Sequence, residues 1–263
     1  MKKALLFLLA VTMVMTLALA ACSQPSEGGT DAGDTAYIKN KGKLVVGVTV
    51  YEPMNYKDEN NEWTGFDTEF TQAVATKMGV DVEFKIIDWD NKSLELESKA
   101  IDLVWNGMTL SDKVRESMDC SDAYVKNAQV VVMSADKAAE FTSIESVKDL
   151  KFAVESGSAG QDCATEFGLQ ATAVTAQSDA LLEVFSGSAD ACIIDLTMAN
   201  AMTGEGTSYE SLKAAFKLNE EEYGIGCRKG SDMVETLNGY IKAMKEDGSL
   251  KAIADKYNLT LAD

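Results

Sequence analysis

IDLVWNGMTLSDKVRESMDCSDAY, residues 101–124, begins as a buried strand and changes character at the dipeptide Asn106-Gly107. Ile101, Leu103, Val104 and Trp105 suit the middle of a covered sheet, whereas an Asn-Gly pair ends a strand and lets the backbone approach another group. Thr109 and Ser111 then offer hydroxyls just beyond the strand. Ligands of open α/β sheets sit outside the carboxyl ends of strands, which makes this corner a candidate binding loop. A polar turn entering a helix accounts for the same residues.

Working outward, strand and helix patterns alternate. Leu44–Val48 reads as an apolar strand, Phe66, Phe70, Val74 and Met78 recur every four residues as a helix face, and Val82, Phe84 and Ile86 alternate as a strand. This order predicts a parallel sheet covered by helices. A second run after Tyr124 places strands near Gln129–Met133, Phe152–Val154 and Ala191–Asp195, with a helix over Ala180–Ser186. LELESKAID (94–102) and LEVFSGSAD (182–190) share Leu, Glu, Ser and Asp at one constant offset, each ending a helix, turning on small residues and opening a buried strand with Asp. The echo fits two similar lobes, and shared helix-to-strand grammar explains it equally.

The first 21 residues have the layout of an export signal: Lys2 and Lys3, an apolar run from Ala4 to about Leu17, then small residues before Cys22. Residues 22–36, rich in Gly, Ser and Asp, read as a flexible stalk. Losing Lys2 and Lys3 moves the formal charge from -18 to -20. No Lys or Arg cluster forms a stripe for phosphates, so nucleic acid is excluded as a partner. No second apolar run approaches membrane-spanning length.

Cys120, Cys163, Cys192 and Cys227 are scattered without a C-x-x-C and are read as buried thiols. The chain has no histidine, which removes Ser-His-Asp triads, Cys-His dyads and His metal sites. In DENNEW (58–63), a calcium loop would need Gly where Trp63 stands, so a hairpin turn is expected. No catalytic residue, metal or cofactor is assigned.

Several ordered blocks resemble one family: LVVGVTVYEPMNYKDENNEWTGFDTEF, DWDNKSLELESKAIDLVWNGMTLSDK, CSDAYVKNAQVVVM, EEYGIGCRKGSD and LNGYIKAMKEDGSLKAIADKY. From about Lys43 to Tyr257 the chain resembles the bacterial family 3 solute-binding proteins, the amino-acid receptors of ABC importers. The resemblance implies the α/β type II periplasmic-binding fold, with lobe 1 at 37–123 plus 226–263, lobe 2 at 124–225, and a ligand cleft between them. Crossings are expected near Ala123–Ala128 and Glu220–Gly226. Leu19-Ala20-Ala21-Cys22 resembles a lipobox, implying lipid on Cys22 and a mature protein tethered to the outer face of the cell membrane.

Carried over position by position, the resemblance makes Tyr51 and Trp89 the aromatics stacked on the ligand. Asn106, Gly107 and Thr109 meet its carboxylate, together with Ser158 and the amide of Ala159 at a helix N-terminus. Asp195 matches the acid for its ammonium; an ordinary helix cap is the other reading. Two positions depart from the family. Val114 stands where an arginine usually clamps the carboxylate, with Arg115 pointing about 100 degrees away on a regular helix. Glu52 adds an acid beside Tyr51, and both departures favour a cationic or carboxylate-poor ligand.

The resulting expectation is a monomeric receptor that captures a small amine-bearing solute and passes it to an ABC permease. A dehydratase-like enzyme using Glu52 or Asp195 as general acid, and a surface lipoprotein with a vestigial cleft, remain open beside it.

Overall fold

The computed structural model describes residues 33–263. The export signal, Cys22 and most of the stalk lie outside the described residues. The stalk assignment runs too far, because a helix, α1 (Asp34–Lys41), starts inside it. Local composition could not show this. The partners come from far along the chain: Asp34 pairs with Arg228 at 2.9 Å, and the Thr35 amide donates to the Asp232 carboxylate at 2.9 Å.

The order continues β1 (Lys43–Val48), β2 (Tyr56–Lys57), β3 (Trp63–Thr64), α2 (Phe66–Met78), β4 (Asp81–Ile86), α3 (Lys92–Glu97) and β5 (Leu103–Thr109). Then come α4 (Asp112–Ser117), β6 (Asp119–Cys120), β7 (Val125–Asn127), β8 (Gln129–Ser134), α5 (Ile144–Val147) and β9 (Lys151–Glu155). The chain closes with α6 (Ala159–Glu166), β10 (Gln170–Val174), α7 (Gln177–Ser186), β11 (Ala191–Asp195), α8 (Leu196–Met202), β12 (Leu212–Lys217), β13 (Glu221–Cys227), α9 (Met233–Glu246) and α10 (Ser249–Lys256).

Two sheets organise these elements, in the orders β4-β1-β5-β13-β6, with β7 also on β13, and β10-β9-β11-β8-β12. The chain leaves the first sheet after Asn127 and re-enters it at Glu221. Neither sheet is wholly parallel. β4-β1-β5 and β10-β9-β11 run parallel, but β13 and β8 join them antiparallel. Each of those two strands arrives from the other sheet's side instead of through a covering helix, so the right-handed crossover that enforces parallel pairing does not apply.

The sequence echo has a structural counterpart. Asp102 and Asp190 open β5 and β11, which occupy the same slot in their sheets, third in the parallel trio beside the antiparallel strand. Each donates its own amide to the neighbouring strand, Asp102 to Val45 at 2.7 Å and Asp190 to Lys151 at 2.8 Å. Each carboxylate accepts that residue's amide in return, at 2.7 and 2.9 Å. The aspartate thus satisfies a donor at the start of the pairing, where ladder bonds have not yet begun.

Asn106 and Gly107 do not end their strand, as the sequence reading expected; β5 passes through them to Thr109. β13 supplies an antiparallel partner on both sides, and an irregularity between Gly224 and Gly226 absorbs the kink. Gly107 takes φ +56 there, a conformation glycine adopts without steric cost. Behind the kink, Trp105 packs edge-on against Phe70 at 4.8 Å, and Phe66 stacks near Tyr124 at 6.0 Å. All four of these aromatics are fully buried.

The DENNEW segment turns the β2–β3 hairpin, with the Asp58 carboxylate accepting the Asn60 and Glu62 amides at 2.8 and 2.9 Å. Cys120, Cys163, Cys192 and Cys227 are free thiols; the last three are buried, Cys120 partly so. Among the described residues, no helix is long and apolar enough to cross a membrane.

Candidate functional site

The carboxyl ends of β1, β5, β9 and β11 open onto one cavity of about 180 Å³. Tyr51, just past β1, lines it with its ring, while its hydroxyl bonds Thr197 and Tyr223, each at 2.6 Å. Trp89 lines the cavity from a 3-10 turn, with the Lys92 ammonium 4.8 Å over its ring. Asn106, Gly107 and Thr109 follow along β5. Their polar groups are already engaged. The Asn106 amide lies 2.7 Å from the Thr49 hydroxyl and 2.8 Å from the Asn55 amide. The Gly107 N–H donates to Asp67 at 2.6 Å, and the Thr109 hydroxyl donates to Glu221 at 2.7 Å. The Gly107 N–H and the side chains of Asn106 and Thr109 are therefore satisfied within the protein.

Across the cavity, Ser158 caps α6 by accepting the Gln161 amide at 3.2 Å, and Ala159 begins the helix, where amides lack intrahelical partners. Asp195 ends β11. It occupies the N-cap position of α8, but its side chain makes no capping bond. Its carboxylate turns instead onto Asn127, Gln129 and Gln177, accepting one side-chain amide from each. Glu52 does not join the group; it lies half-buried beside Tyr51, outside the cavity. The cis geometry of the Glu52-Pro53 bond and the Tyr51–Asn55 bridge belong to the tight turn that carries it.

The loop after β5 is a short helix, α4, capped by Ser111, whose hydroxyl accepts the Val114 amide at 3.2 Å. Val114 faces the cavity, and Arg115 is exposed outside it. No arginine lines the cavity.

The sequence reading missed Glu155, Lys92 and Gln177, all of which line it. Glu155 ends the apolar strand FAVE as Asp195 ends ACIID, a repeated pattern visible in the sequence. Lys92 carries a weaker signal, three residues after Trp89. Its ammonium donates to the carbonyls of Trp89 at 3.1 Å and Gly157 at 2.9 Å, which joins the two sheet regions. At the rim, Lys113 on α4 pairs with Asp162 on α6 at 2.7 Å.

Burial dominates the electrostatics. It pushes the Glu155 carboxyl up to about 8, with Asp195 adding to the rise and Lys92 opposing it. The Asp195 carboxyl is likewise raised, by burial first and then by the negative charge of Glu221. Away from the cavity, burial takes Asp67 to about 7 against the opposing Gly107 amide. Burial also lowers the Lys92 ammonium.

These raised carboxyls set a pH dependence. Between roughly pH 4 and the raised values, the folded chain holds protons that an unfolded carboxylate has released, so stability falls as pH rises. The expected loss for the ligand-free protein from pH 5 to 8 is on the order of 1 kcal/mol per pH unit for each such group while it titrates. Asp119, held low by the Gly230 amide, titrates below this window. Urea midpoints at several pH values check this, and a flat profile would show that the buried carboxyls stay ionised in the fold.

Residues 44–260 match the family described as bacterial extracellular solute-binding proteins, family 3. The L-cystine-binding protein TcyA of Bacillus subtilis (strain 168) is 34% identical over 270 residues, covering 98% of this chain and 97% of its own length. The arginine-binding extracellular protein ArtP of the same organism is 32% identical, covering 98% of each chain. Among solved structures, the ancestral amino acid-binding protein AncCDT-1, described as a precursor of cyclohexadienyl dehydratase, superposes with a TM-score of 0.78 at 30% identity. That match covers 85% of this chain and 98% of the ancestral one.

Proposed function

The chain belongs to the bacterial extracellular solute-binding proteins of family 3, and from that premise we propose that it is the substrate-binding receptor of an ABC importer for an amino acid. The observation that carries this reading is Asp195: a buried carboxylate, held by side-chain amides, at the carboxyl end of a strand that opens onto the cavity. A carboxylate offers about four acceptor sites, and side-chain amides take three of them here, which leaves room for a ligand ammonium. Cystine and arginine, for which the two relatives are named, each carry such an ammonium.

In this reading the lobe bounds of the sequence analysis move to the sheet boundaries, so that lobe 1 comprises residues 33–127 and 221–263, lobe 2 comprises 128–220, and the lobes hinge where the chain passes between sheets. Tyr51 and Trp89 sandwich the solute, the Ala159 amide and Ser158 face its carboxylate, and Asn106, Gly107 and Thr109 shape the wall from β5. Tyr51–Thr197, Lys92–Gly157 and Lys113–Asp162 bridge the two sheet regions and fit a closed state. A solute touching both lobes selects that state. Export with lipid on Cys22 would hold the monomeric receptor at the outer face of the membrane, beside its permease. The dehydratase alternative loses one of its two acids, since Glu52 stays outside the cavity.

A thermal-shift screen of free L-amino acids tests the reading. A true ligand at a hundredfold over its Kd stabilises the protein by about 2.7 kcal/mol. At roughly 2–4 °C per kcal/mol for a domain of this size, the melting temperature rises by about 5–10 °C. Arg115→Ala is expected to shift that affinity by less than about 1 kcal/mol, because Arg115 is a solvated surface charge. A melting temperature unmoved by every amino acid would remove the receptor reading, and loss of binding in Arg115→Ala would return the guanidinium to the site.

A further inference from the structure

Three acidic or basic side chains line the cavity in near-complete burial: Asp195 at 3%, Glu155 at 2% and Lys92 at 9% exposure. They differ in what the protein gives them. Asp195 is held by three side-chain amides. Lys92 has two backbone carbonyls as acceptors and, in a closed site, a third N–H to place. Glu155 is the exception. Its Oε1 is buried without a hydrogen-bond partner. No salt bridge joins Glu155 to Lys92 among the described residues, although each feels the other's charge.

A carboxylate buried without partners costs several kcal/mol unless something supplies positive charge or it takes up a proton. β9 and β11 are parallel neighbours, with Phe152 opposite Ala191 and Ala153 opposite Cys192. By that register Glu155 lies beside Ile194, so Glu155 and Asp195 end adjacent strands at the same edge of the sheet, one residue out of step, and both line the cavity from separate directions. A ligand meeting both acids needs cationic groups at two separate points. Lys92 adds one positive charge, so the three side chains together leave the fully ionised cavity with one uncompensated negative charge.

We infer that the cavity is built for an α-amino acid with a cationic side chain, Asp195 taking one cation, Glu155 the other, and Lys92 joining Ser158 and the Ala159 amide at the carboxylate that Val114 cannot hold. This deepens the receptor reading and rests on it. A ligand of this kind carries two positive charges and one negative, so its net charge balances that of the cavity. A neutral amino acid such as L-glutamine leaves Glu155 without a partner, L-cystine brings a second ammonium but with it a second carboxylate that the acids repel, and a diamine leaves Lys92 without an anion.

Calorimetry on the mature protein at pH 8.5, titrated with L-lysine, L-arginine, L-glutamine, L-cystine and putrescine, tests the assignment. Wild type should bind L-lysine or L-arginine at least tenfold tighter than L-glutamine or L-cystine. In Glu155→Gln the preference for L-lysine and L-arginine over L-glutamine should fall by about a hundredfold, equal to about 2.7 kcal/mol. In Lys92→Met the preference for L-lysine over putrescine should fall similarly. A Glu155 that only supports the fold would leave the first ratio unmoved, and that result overturns the inference. Tight binding of L-glutamine or L-cystine in preference to both basic amino acids also overturns it, while leaving the receptor reading in place. Binding of no probe with a Kd below about 1 mM (-4.1 kcal/mol) overturns the inference, and the receptor reading then stands or falls on the thermal-shift screen of all the amino acids.

Proton counting supplies a second readout. The charges of Asp195, Lys92, Asp179 and Asp88 act on Glu155, Lys92 opposing its rise and the three aspartates adding to it. A cation arriving beside it in the cavity should expel a proton below pH 8, so the heat of binding should vary with the ionisation enthalpy of the buffer. Buffer-independent heats in wild type, at a pH where L-lysine binds, would overturn the inference.

Discussion

Asp195→Ala is expected to abolish amino-acid binding at accessible concentrations while leaving the empty protein folded. A buried ammonium that loses its counter-ion costs about 3 to 5 kcal/mol, which is roughly two to three and a half orders of magnitude in Kd. The empty protein loses little by comparison. Asn127 and Gln129, two of the amides that hold Asp195, also donate to Glu221 at 2.7 and 2.9 Å and keep that acceptor in the variant. Gln177 still accepts the backbone amide of residue 195 at its side-chain oxygen. The variant also drops a carboxyl whose ionisation burial opposes, so its urea midpoint above pH 8 should match or exceed that of wild type. Calorimetry and urea titration together separate the roles. Unchanged affinity removes Asp195 from the site, and an unfolded empty variant makes it a structural residue of β11.

Much of the architecture was legible because it rests on local signals. The apolar strands and the four-residue repeat of α2 are set by patterns within a few residues, and the echoed segments ending in Asp102 and Asp190 showed as local sequence, although the strand partners of those aspartates, Val45 and Lys151, lie far along the chain. What stayed hidden depends on partners far along the chain. The start of α1 needs Arg228 and Asp232, and the antiparallel placement of β13 and β8 needs the other half of the molecule. In the site, resemblance pointed to aromatics and to Asp195, but it could not show that Asn106, Gly107 and Thr109 have their polar groups engaged within the protein. Glu155 escaped for a different reason. A carboxylate at a strand end usually reads as a cap or a solvated turn, and only burial without a partner marks it as unusual.

Gly107→Ala is expected to destabilise the protein by about 2 to 5 kcal/mol and to weaken ligand binding, through two separable costs. The first is conformational: a φ of +56 costs an L-residue roughly 1 to 2 kcal/mol. The second is collision. A Cβ at residue 107 would stand 2.7 Å from Cε1 of Tyr51, 3.2 Å from Tyr223 and 3.3 Å from Met54, and overpacking of this kind costs about 1 to 3 kcal/mol. Tyr51 cannot give way freely, because its hydroxyl is tied to Thr197 and Tyr223. Pushing its ring aside moves a cavity wall and loosens a link between the two sheet regions. Gly79→Ala is the control: Gly79 has φ +74 at the end of α2, and its added Cβ meets nothing within 4 Å. That variant should lose about 1 to 2 kcal/mol and bind normally. Urea denaturation and calorimetry of both variants isolate the collision as the difference between them. Equal destabilisation with equal affinity would show that Tyr51 yields without cost, and that the kink in β5 serves strand geometry alone.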